Sequence, residues 1–210
     1  QCVMEMALKL ASIFFTMILV DNYVLAKFLG ICPFLGVSKK LDSAVGMSLA
    51  VTFVMVMATA ATWPIYTFVL SPAYAAGTSR DLGYLQTIVF ILIIAILVQL
   101  LENFLKKFVP ALYKALGVYL PLITTNCTIL GVTILNLDNG YNFVESIVCA
   151  AGAGIGFLVA MVLFSGVRRR VEQAVTPKCF EGLPITLVAA AVTSLSFMGF
   201  GGIVDAIFKV

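Results

Sequence analysis

Residues 31–37 read Ile-Cys-Pro-Phe-Leu-Gly-Val, and residues 126–132 read Asn-Cys-Thr-Ile-Leu-Gly-Val. The two stretches share the pattern Cys-x-x-Leu-Gly-Val and lie nearly half a chain length apart. Each one is part of a long apolar run that Gly and Pro interrupt. This shared pattern indicates an internal duplication centred on Cys32 and Cys127.

The composition is that of an integral membrane protein. Of the 210 residues, 62% are hydrophobic and only 11% are charged, whereas a soluble domain carries about a quarter charged residues. In the hydrocarbon layer every backbone N–H and C=O must be bonded internally, and a helix of about 20 apolar residues achieves this. Residues 1–210 are therefore predicted to form a single all-α integral membrane domain within the lipid bilayer, and the charge pattern gives no support for nucleic-acid binding.

Six apolar runs, bounded by charged or turn residues, predict six transmembrane helices. They cover about residues 6–36, 43–70, 84–105, 110–136, 143–167 and 183–207. The duplicated pattern divides them into two repeats of three helices, at about 6–105 and 110–208. Because three is odd, the second repeat must cross the membrane in the opposite sense, so two inverted three-helix repeats are predicted.

The first and fourth runs are longer than one straight crossing requires. Six interrupting residues indicate broken helices there: Gly30, Pro33, Gly36, Gly117, Pro121 and Gly131. Interrupted helices leave backbone groups unpaired, which is tolerated at membrane depth only where protein or a cavity buries them. We therefore expect helices 1 and 4 to be broken at mid-membrane and to build a site there.

Basic residues are distributed unevenly between the two ends of the predicted helices. One end carries Lys39, Lys40, Lys106, Lys107, Lys114, Arg168, Arg169, Arg170 and Lys178. The other end carries Lys9, Arg80 and Lys209. By the positive-inside rule the end with more Lys and Arg residues faces the cytoplasm, so both termini are predicted on the non-cytoplasmic side.

Cys32 and Cys127 are the candidate metal ligands. The chain has five cysteines, no His and no closely spaced Cys pair of the zinc or ferredoxin type. A single intramembrane Cys is more often a small buried hydrophobe, but two repeat-equivalent cysteines in broken helices favour a ligand role. Two thiolates complete neither a tetrahedral site nor a four-thiolate iron–sulfur cluster, so a second, similar subunit is expected to supply the rest.

Four stretches of the chain closely resemble the A-type membrane subunits of Rnf-type ion-translocating oxidoreductase complexes. They are residues 22–47, residues 116–132 (LGVYLPLITTNCTILGV), residues 152–170 and residues 194–202 (SLSFMGFGG). The homologous E-type subunits of the sodium-translocating NADH:quinone reductase are similar too. The Cys-Pro-Phe-Leu-Gly segment at 32–36 is closer to the Rnf form, and the resemblance spans nearly the whole chain.

The resemblance implies that Cys32 and Cys127 join two cysteines of a paired, inverted homologous subunit to hold a [2Fe–2S] cluster inside the membrane. It further implies a complex with flavin-carrying and iron–sulfur subunits that passes electrons between reduced ferredoxin and NAD. Such a complex moves Na⁺ or H⁺ across a bacterial or archaeal plasma membrane. In it, this chain would be one component of a translocase, without a complete active site, that relays electrons across the bilayer.

Three further residues are candidates for the surroundings of that cluster. Lys27 precedes Cys32 and would offset the charge of the reduced cluster, although long basic side chains near helix ends more often extend to the interface. Thr125 and Asn126 precede Cys127. We expect them to cap the broken helix or to donate hydrogen bonds to cluster sulfurs.

Polar residues within or beside the apolar runs are default candidates for an ion path. They are Asp21, Asn22, Glu102 and Asp205, and placement at the membrane interface is the expected explanation for most of them. The Gly and Ala residues at 150–156 predict close helix contact rather than nucleotide binding.

Two other classes of function stay open at this point. Inverted repeats with broken helices are also the architecture of secondary transporters, in which the two cysteines would have no ligand role. A scaffold for other subunits is the third reading. Iron and acid-labile sulfide that depend on Cys32 and Cys127 would separate the redox reading from both.

Overall fold

The computed structural model of the chain describes residues 2–38, 41–70, 82–108, 120–174, 177, 180 and 182–199. Predictions that fall on Lys39, Lys40, Arg80, Lys114, Gly117, Lys178, Asp205 and Lys209 lie outside these residues. The same holds for the start of the fourth predicted run and the end of the sixth. The part of the chain that is described contains helices and turns and no strand.

The described residues form eight α-helices. They are α1 (Cys2–Leu19), α2 (Ile31–Val37), α3 (Leu41–Ile65), α4 (Leu82–Phe108), α5 (Leu120–Thr124), α6 (Cys127–Asp138), α7 (Phe143–Glu172) and α8 (Leu183–Met198). A π-helical turn, Tyr66–Leu70, continues α3 beyond Pro64. The proline ring removes one backbone donor, which displaces the regular hydrogen-bond pattern at that point.

Several of these helices have the length and composition of membrane spans. Leu41–Phe68, Gln86–Asn103 and Phe143–Glu172 are long and apolar enough to cross a membrane, and Leu122–Asp138 and Leu183–Met198 are shorter apolar helices. The predicted all-α membrane class is therefore confirmed. The count of six crossings and the inverted relation of the two repeats stay predictions.

Helix α7 is the centre of the packing, with α1 and α3 against it. Its small residues allow close approach. A Cβ atom added at Gly156 would lie 2.9 Å from the carbonyl oxygen of Met17, and one added at Gly152 would lie 3.2 Å from that of Phe14. Gly154 faces α3 in the same way. The close helix contact predicted from residues 150–156 is confirmed.

Contacts along α7 establish that α1 runs parallel to it. Lys9 of α1 forms an ion pair with Glu145 in the first turn of α7, with Nζ 2.8 Å from Oε1. Further along both helices, Met17 lies beside Gly156. Both residue numbers increase together, as they must when two adjacent helices have the same direction.

Helix α3 runs antiparallel to α7. Thr52 lies beside Gly154, in the interior of α7. Later in α3, the indole nitrogen of Trp63 donates to the carbonyl of Tyr141, just before α7 begins, at 3.1 Å. One residue number increases while the other decreases, so the two helices point in opposite directions.

The helix breaks are displaced from the positions that Gly and Pro predict. Of the predicted interrupters, Gly30 ends a break, whereas Pro33 lies in the first turn of α2, where a missing N–H does no harm. Gly36 and Gly131 lie inside the continuous helices α2 and α6. Gly131 has a packing role instead, because a Cβ atom there would lie 2.6 Å from Cδ1 of Leu29.

Candidate functional site

The first break, residues 20–30 between α1 and α2, is organised by the side chain of Asn22. This residue is buried, and its Oδ1 accepts hydrogen bonds from the amides of Val24 and Leu25 at 3.1 and 3.4 Å. Its Nδ2 donates to the carbonyl of Gly156 at 2.8 Å. Interfacial placement is therefore wrong for Asn22, because its amide supplies partners to backbone that the helix no longer bonds.

Two other side chains complete this segment. The hydroxyl of Ser194, in α8, donates to the carbonyl of Leu25, and Ser194 is buried there. Lys27 is directed along the break itself, with Nζ 3.9 Å from Oδ1 of Asp21 and 4.9 Å from the centre of the Tyr23 ring. A role of Lys27 beside a cluster stays a prediction.

Gly30 is the last residue of the first break and sets the start of α2. Its φ of 79° is in the left-handed region, which L side chains rarely adopt and glycine adopts freely. Helix α2 begins at Ile31, so Cys32 lies in its first turn, and Cys32 is exposed. Phe34, in the same helix, is buried.

The second break is short and consists of Thr125 and Asn126, between α5 and α6. Asn126 is the N-cap of α6, and its Oδ1 accepts a hydrogen bond from the amide of Thr128 at 3.1 Å. The capping expected of Asn126 is thus observed. Thr125 is exposed, and Cys127, the first residue of α6, is exposed as well.

The two breaks lie against each other. The amide of Gly30 donates a hydrogen bond to the sulfur of Cys127, with N and Sγ 2.9 Å apart. A Cβ atom added at Gly30 would collide with Oγ1 of Thr128, and Leu29 packs over Gly131. The segment that leads into Cys32 therefore contacts the helix turn that contains Cys127.

From this junction the two short helices extend in opposite directions along α7. In α2, the ring of Phe34 stacks on that of Phe164, with centroids 4.1 Å apart, so α2 runs toward the carboxyl end of α7. In α6, the amide of Asn136 donates to the carbonyl of Ser146 at 3.3 Å, so α6 runs toward the amino end of α7. Helices α2 and α6 thus begin together and diverge.

The junction lies halfway along α7. Asn22 is bonded to Gly156, and a Cβ atom at Gly30 would lie 3.1 Å from Cε2 of Phe157. About 16 Å of helical rise separates Glu145 from Gly156, and about the same distance separates Phe157 from Arg168. The charged residues that belong to α7 itself therefore lie far from the junction, toward its two ends.

Two buried polar atoms lie close to Gly30. Nδ2 of Asn126 and Oγ1 of Thr128 have no hydrogen-bond partner within the part of the chain that the structure describes. A buried donor without a partner destabilises a protein by about 1–3 kcal/mol. Hydrogen-bonding capacity is thus available beside Cys127.

The donor set fits half of a thiolate-bound centre. Cys32 and Cys127 are exposed thiols next to one junction, and thiolates are the ligands of iron–sulfur clusters. Among the described residues no group of three or more His, Cys, Asp or Glu side chains is arranged to bind a metal ion. Cys149 is buried in α7, in agreement with a packing role. This chain can supply two ligands, and their exposure leaves them accessible to a partner.

Sequence reasoning missed two groups at this site. The amide of Gly30 carries no side-chain signal, although a glycine two residues before Cys32 is consistent with a close backbone approach. Arg168 belongs to a basic cluster with Arg169 and Arg170 in the sequence, yet it is buried in the structure. The three arginines differ in the direction in which each one projects from α7, and this direction decides which of them is buried.

Together, the fold and the junction define a class: helical membrane proteins in which two helix breaks lie against each other and bring two exposed cysteines beside one junction. The sequence profile of the Rnf-Nqr subunit family, described as a membrane protein family, matches residues 10–204. The chain belongs to this family.

Curated relatives agree with this assignment. The A-type component of the Na⁺-translocating ferredoxin:NAD⁺ oxidoreductase complex of Acetobacterium woodii is 53% identical over 195 residues, which cover 93% of this chain and 98% of the relative. The A-type component of the ion-translocating oxidoreductase complex of Syntrophotalea carbinolica is 52% identical over 187 residues, covering 89% and 93%. The protein of the same description from Serratia proteamaculans is also 52% identical over 187 residues. The predicted resemblance to A-type subunits of Rnf complexes is confirmed.

Proposed function

We propose that this chain is a membrane subunit of an ion-translocating ferredoxin:NAD⁺ oxidoreductase complex, and that Cys32 and Cys127 hold half of an intramembrane [2Fe–2S] cluster. The relative from Acetobacterium woodii is named as a subunit of a Na⁺-translocating ferredoxin:NAD⁺ oxidoreductase complex, and the relative from Syntrophotalea carbinolica as a subunit of an ion-translocating oxidoreductase complex. The complex couples electron transfer to movement of Na⁺ or H⁺. This chain relays the electron and has no complete active site of its own.

The observation that carries the proposal is the hydrogen bond from the Gly30 amide to the sulfur of Cys127. It brings the turn before Cys32 into contact with Cys127, although the two motifs are far apart in sequence. A backbone amide that donates to a ligand sulfur stabilises negative charge on that sulfur. Cys127 is also the first residue of α6, a twelve-residue helix whose amino-terminal end favours an anion.

The missing ligands come from a paired homologous subunit of inverted topology. Both cysteines of this chain are exposed, so a second subunit can approach them. The opposed directions of α2 and α6 support an inverted repeat about an axis that passes through the junction. A partner of the same architecture would present its own two thiols near the same axis, which completes four ligands.

Electron relay is supported by the position of the junction. The junction lies halfway along α7, which is itself a membrane span by length and composition. When bound there, a [2Fe–2S] cluster accepts and returns one electron, and it divides a hydrocarbon layer of about 30 Å into two shorter distances. The flavin-carrying and iron–sulfur subunits of the complex would be the donors and acceptors on the two sides.

The orientation follows from the basic residues. Exposed Arg169 and Arg170 lie at the end of α7 opposite to Glu145 and Lys9. We propose that the arginine end faces the cytoplasm of a bacterial or archaeal cell and that both termini lie on the other side.

The test is an iron and acid-labile sulfide analysis of the purified complex. Cys32→Ala and Cys127→Ala should each remove the two irons and two sulfides of one [2Fe–2S] cluster, together with its electron paramagnetic resonance (EPR) signal. Cys149→Ala is the matched control, because Cys149 is buried in helix packing, and its complex should retain the cluster. Copurification of all subunits is checked in each case.

A carrier or scaffold would give another result. In those readings the cysteines bind nothing, and both substitutions would leave iron, sulfide and the EPR signal at the level of the unmodified complex. That outcome would overturn the redox proposal.

A further inference from the structure

Arg168 is the one residue of the 168–170 arginine run that is turned into the protein. Only 9% of Arg168 is exposed, whereas Arg169 and Arg170 are both exposed. A buried guanidinium is tolerated only when its donors are matched by acceptors. Its partners therefore indicate what holds Arg168 in this buried position.

Two of these partners are Leu35, in the short helix α2 that contains Cys32, and Ser38, the C-cap residue of α2. Nη1 of Arg168 donates to the carbonyl of Leu35 at 2.5 Å and to the hydroxyl oxygen of Ser38 at 2.8 Å. Nε donates to Oε1 of Glu172, one turn further along α7, at 3.0 Å. The carbonyl of Leu35 is in the last turn of α2, where no intrahelical amide is available to it. Arg168 thus bonds the carboxyl-terminal end of α2.

Helix α2 depends on such contacts for its position. It has only seven residues, and a helix of about two turns is not stable by itself in solution. Besides the bonds to Arg168, the described contacts of α2 include the stacking of Phe34 on Phe164. Leu35 is one helical turn from Cys32, so a shift of the Leu35 carbonyl shifts the thiol as well.

We infer that Arg168 is a positioning residue that sets the location of Cys32 relative to Cys127. The inference rests on the proposed function, because it concerns the spacing of two cluster ligands. Arg168 acts from α7, the same helix that holds the other side of the break through the bond between Gly156 and Asn22. The start of α6, where Cys127 lies, is instead capped by Asn126 within its own segment.

The experiment compares four variants of the intact complex: Arg168→Gln, Arg168→Lys, Arg169→Gln and Arg170→Gln. The first readout is the EPR line shape and midpoint potential of the cluster that depends on Cys32. The second is the ratio of alkylation at Cys32 to that at Cys127, measured by mass spectrometry after iron is removed with a chelator. The unmodified complex is the reference for both.

Arg168→Gln should broaden or shift the EPR signal and raise the alkylation ratio several-fold. Arg168→Lys should restore part of the reference behaviour, because a lysine keeps the charge and N–H donors but lacks the forked geometry of the guanidinium group. Arg169→Gln and Arg170→Gln, which remove equal charge at exposed positions, should match the reference. A general loss of stability, which would contradict the inference, would raise alkylation at both cysteines and leave their ratio unchanged.

Equal ratios and equal EPR spectra in all four variants would overturn the inference. If Arg168→Gln prevents assembly, Ser38→Ala removes one acceptor and keeps the arginine, and it should raise the ratio in the same direction. Failure of the proposed function is seen separately, as a reference complex that has no cluster dependent on Cys32. The alkylation ratio still reports on the contact of Arg168 in that case.

Discussion

Gly30 and Cys127, separated by 97 positions in the sequence, are joined by a hydrogen bond from the Gly30 amide to Sγ, with N and S 2.9 Å apart. The contact connects the end of one helix break to the start of the helix after the other. It depends on the absence of a side chain at Gly30, because the left-handed φ disfavours a Cβ atom there and Oγ1 of Thr128 would collide with one.

Gly30→Ala should separate the two breaks. A left-handed alanine costs about 1–2 kcal/mol, and collision with Thr128 adds about 1–3 kcal/mol of overpacking. The complex should lose its cluster signal and unfold at a lower temperature. Gly36→Ala is the matched control, since nothing lies within 4 Å of a Cβ atom there. Equal effects of the two substitutions would contradict the contact.

Asn126→Ala should weaken the start of α6. The substitution removes the acceptor for the Thr128 amide, and loss of an N-cap of this kind costs about 1 kcal/mol. Asn126→Ser retains a capping oxygen and should recover most of that loss. The thermal unfolding midpoint in detergent measures both. A serine variant as unstable as the alanine variant would show that capping is not the main role of Asn126.

Gly156→Ala should force α1 away from α7. The added Cβ atom would lie 2.9 Å from the Met17 carbonyl and 3.3 Å from Nδ2 of Asn22, so about 1–3 kcal/mol of destabilisation is expected. Gly166→Ala, in the same helix, meets nothing within 4 Å and should leave stability unchanged or slightly raised. The measurement is the thermal unfolding midpoint of both variants in the same detergent, which should be lowered by Gly156→Ala only.

Membrane orientation can be tested with single introduced cysteines at Asn139 and Ala174. Both positions are exposed and lie just outside opposite ends of α7. By the positive-inside rule, Asn139→Cys should react with an impermeant maleimide added outside the cell, and Ala174→Cys only in inside-out vesicles. The reverse labelling pattern would invert the topology that we propose.

The helical membrane class was accessible from the sequence, because apolar composition and run length leave few other structures in a bilayer. The location of the breaks was not. Pro33 and Gly131 indicated interruptions, but Pro33 lies in the first turn of α2, and the side chain of Leu29 packs against Gly131 inside α6. A glycine that breaks a helix and a glycine that accommodates a neighbour look alike until the neighbour is known.

The roles of buried polar residues were not predictable from the sequence either. By sequence, Asn22 is a candidate for an ion path or the interface, and its buried amide instead bonds its own break and the Gly156 carbonyl. Arg168, Arg169 and Arg170 are equivalent members of one basic cluster in the sequence. Of the three, only Arg168 projects from α7 toward α2. The pattern of residues within α7 cannot predict this, because it depends on where α2 packs against α7 in the tertiary structure.

The sequence by itself determined an all-helical membrane chain, its family and the pairing of Cys32 with Cys127 as equivalent positions of a repeated motif, because apolar runs and a duplicated motif are local patterns. The tertiary structure alone decided that the Gly30 amide meets Cys127 and that Arg168 bonds the end of α2. Both contacts join residues far apart in the chain. Their existence depends on how α2, α6 and α7 pack, and such packing is set by the sum of many weak contacts rather than by any one motif.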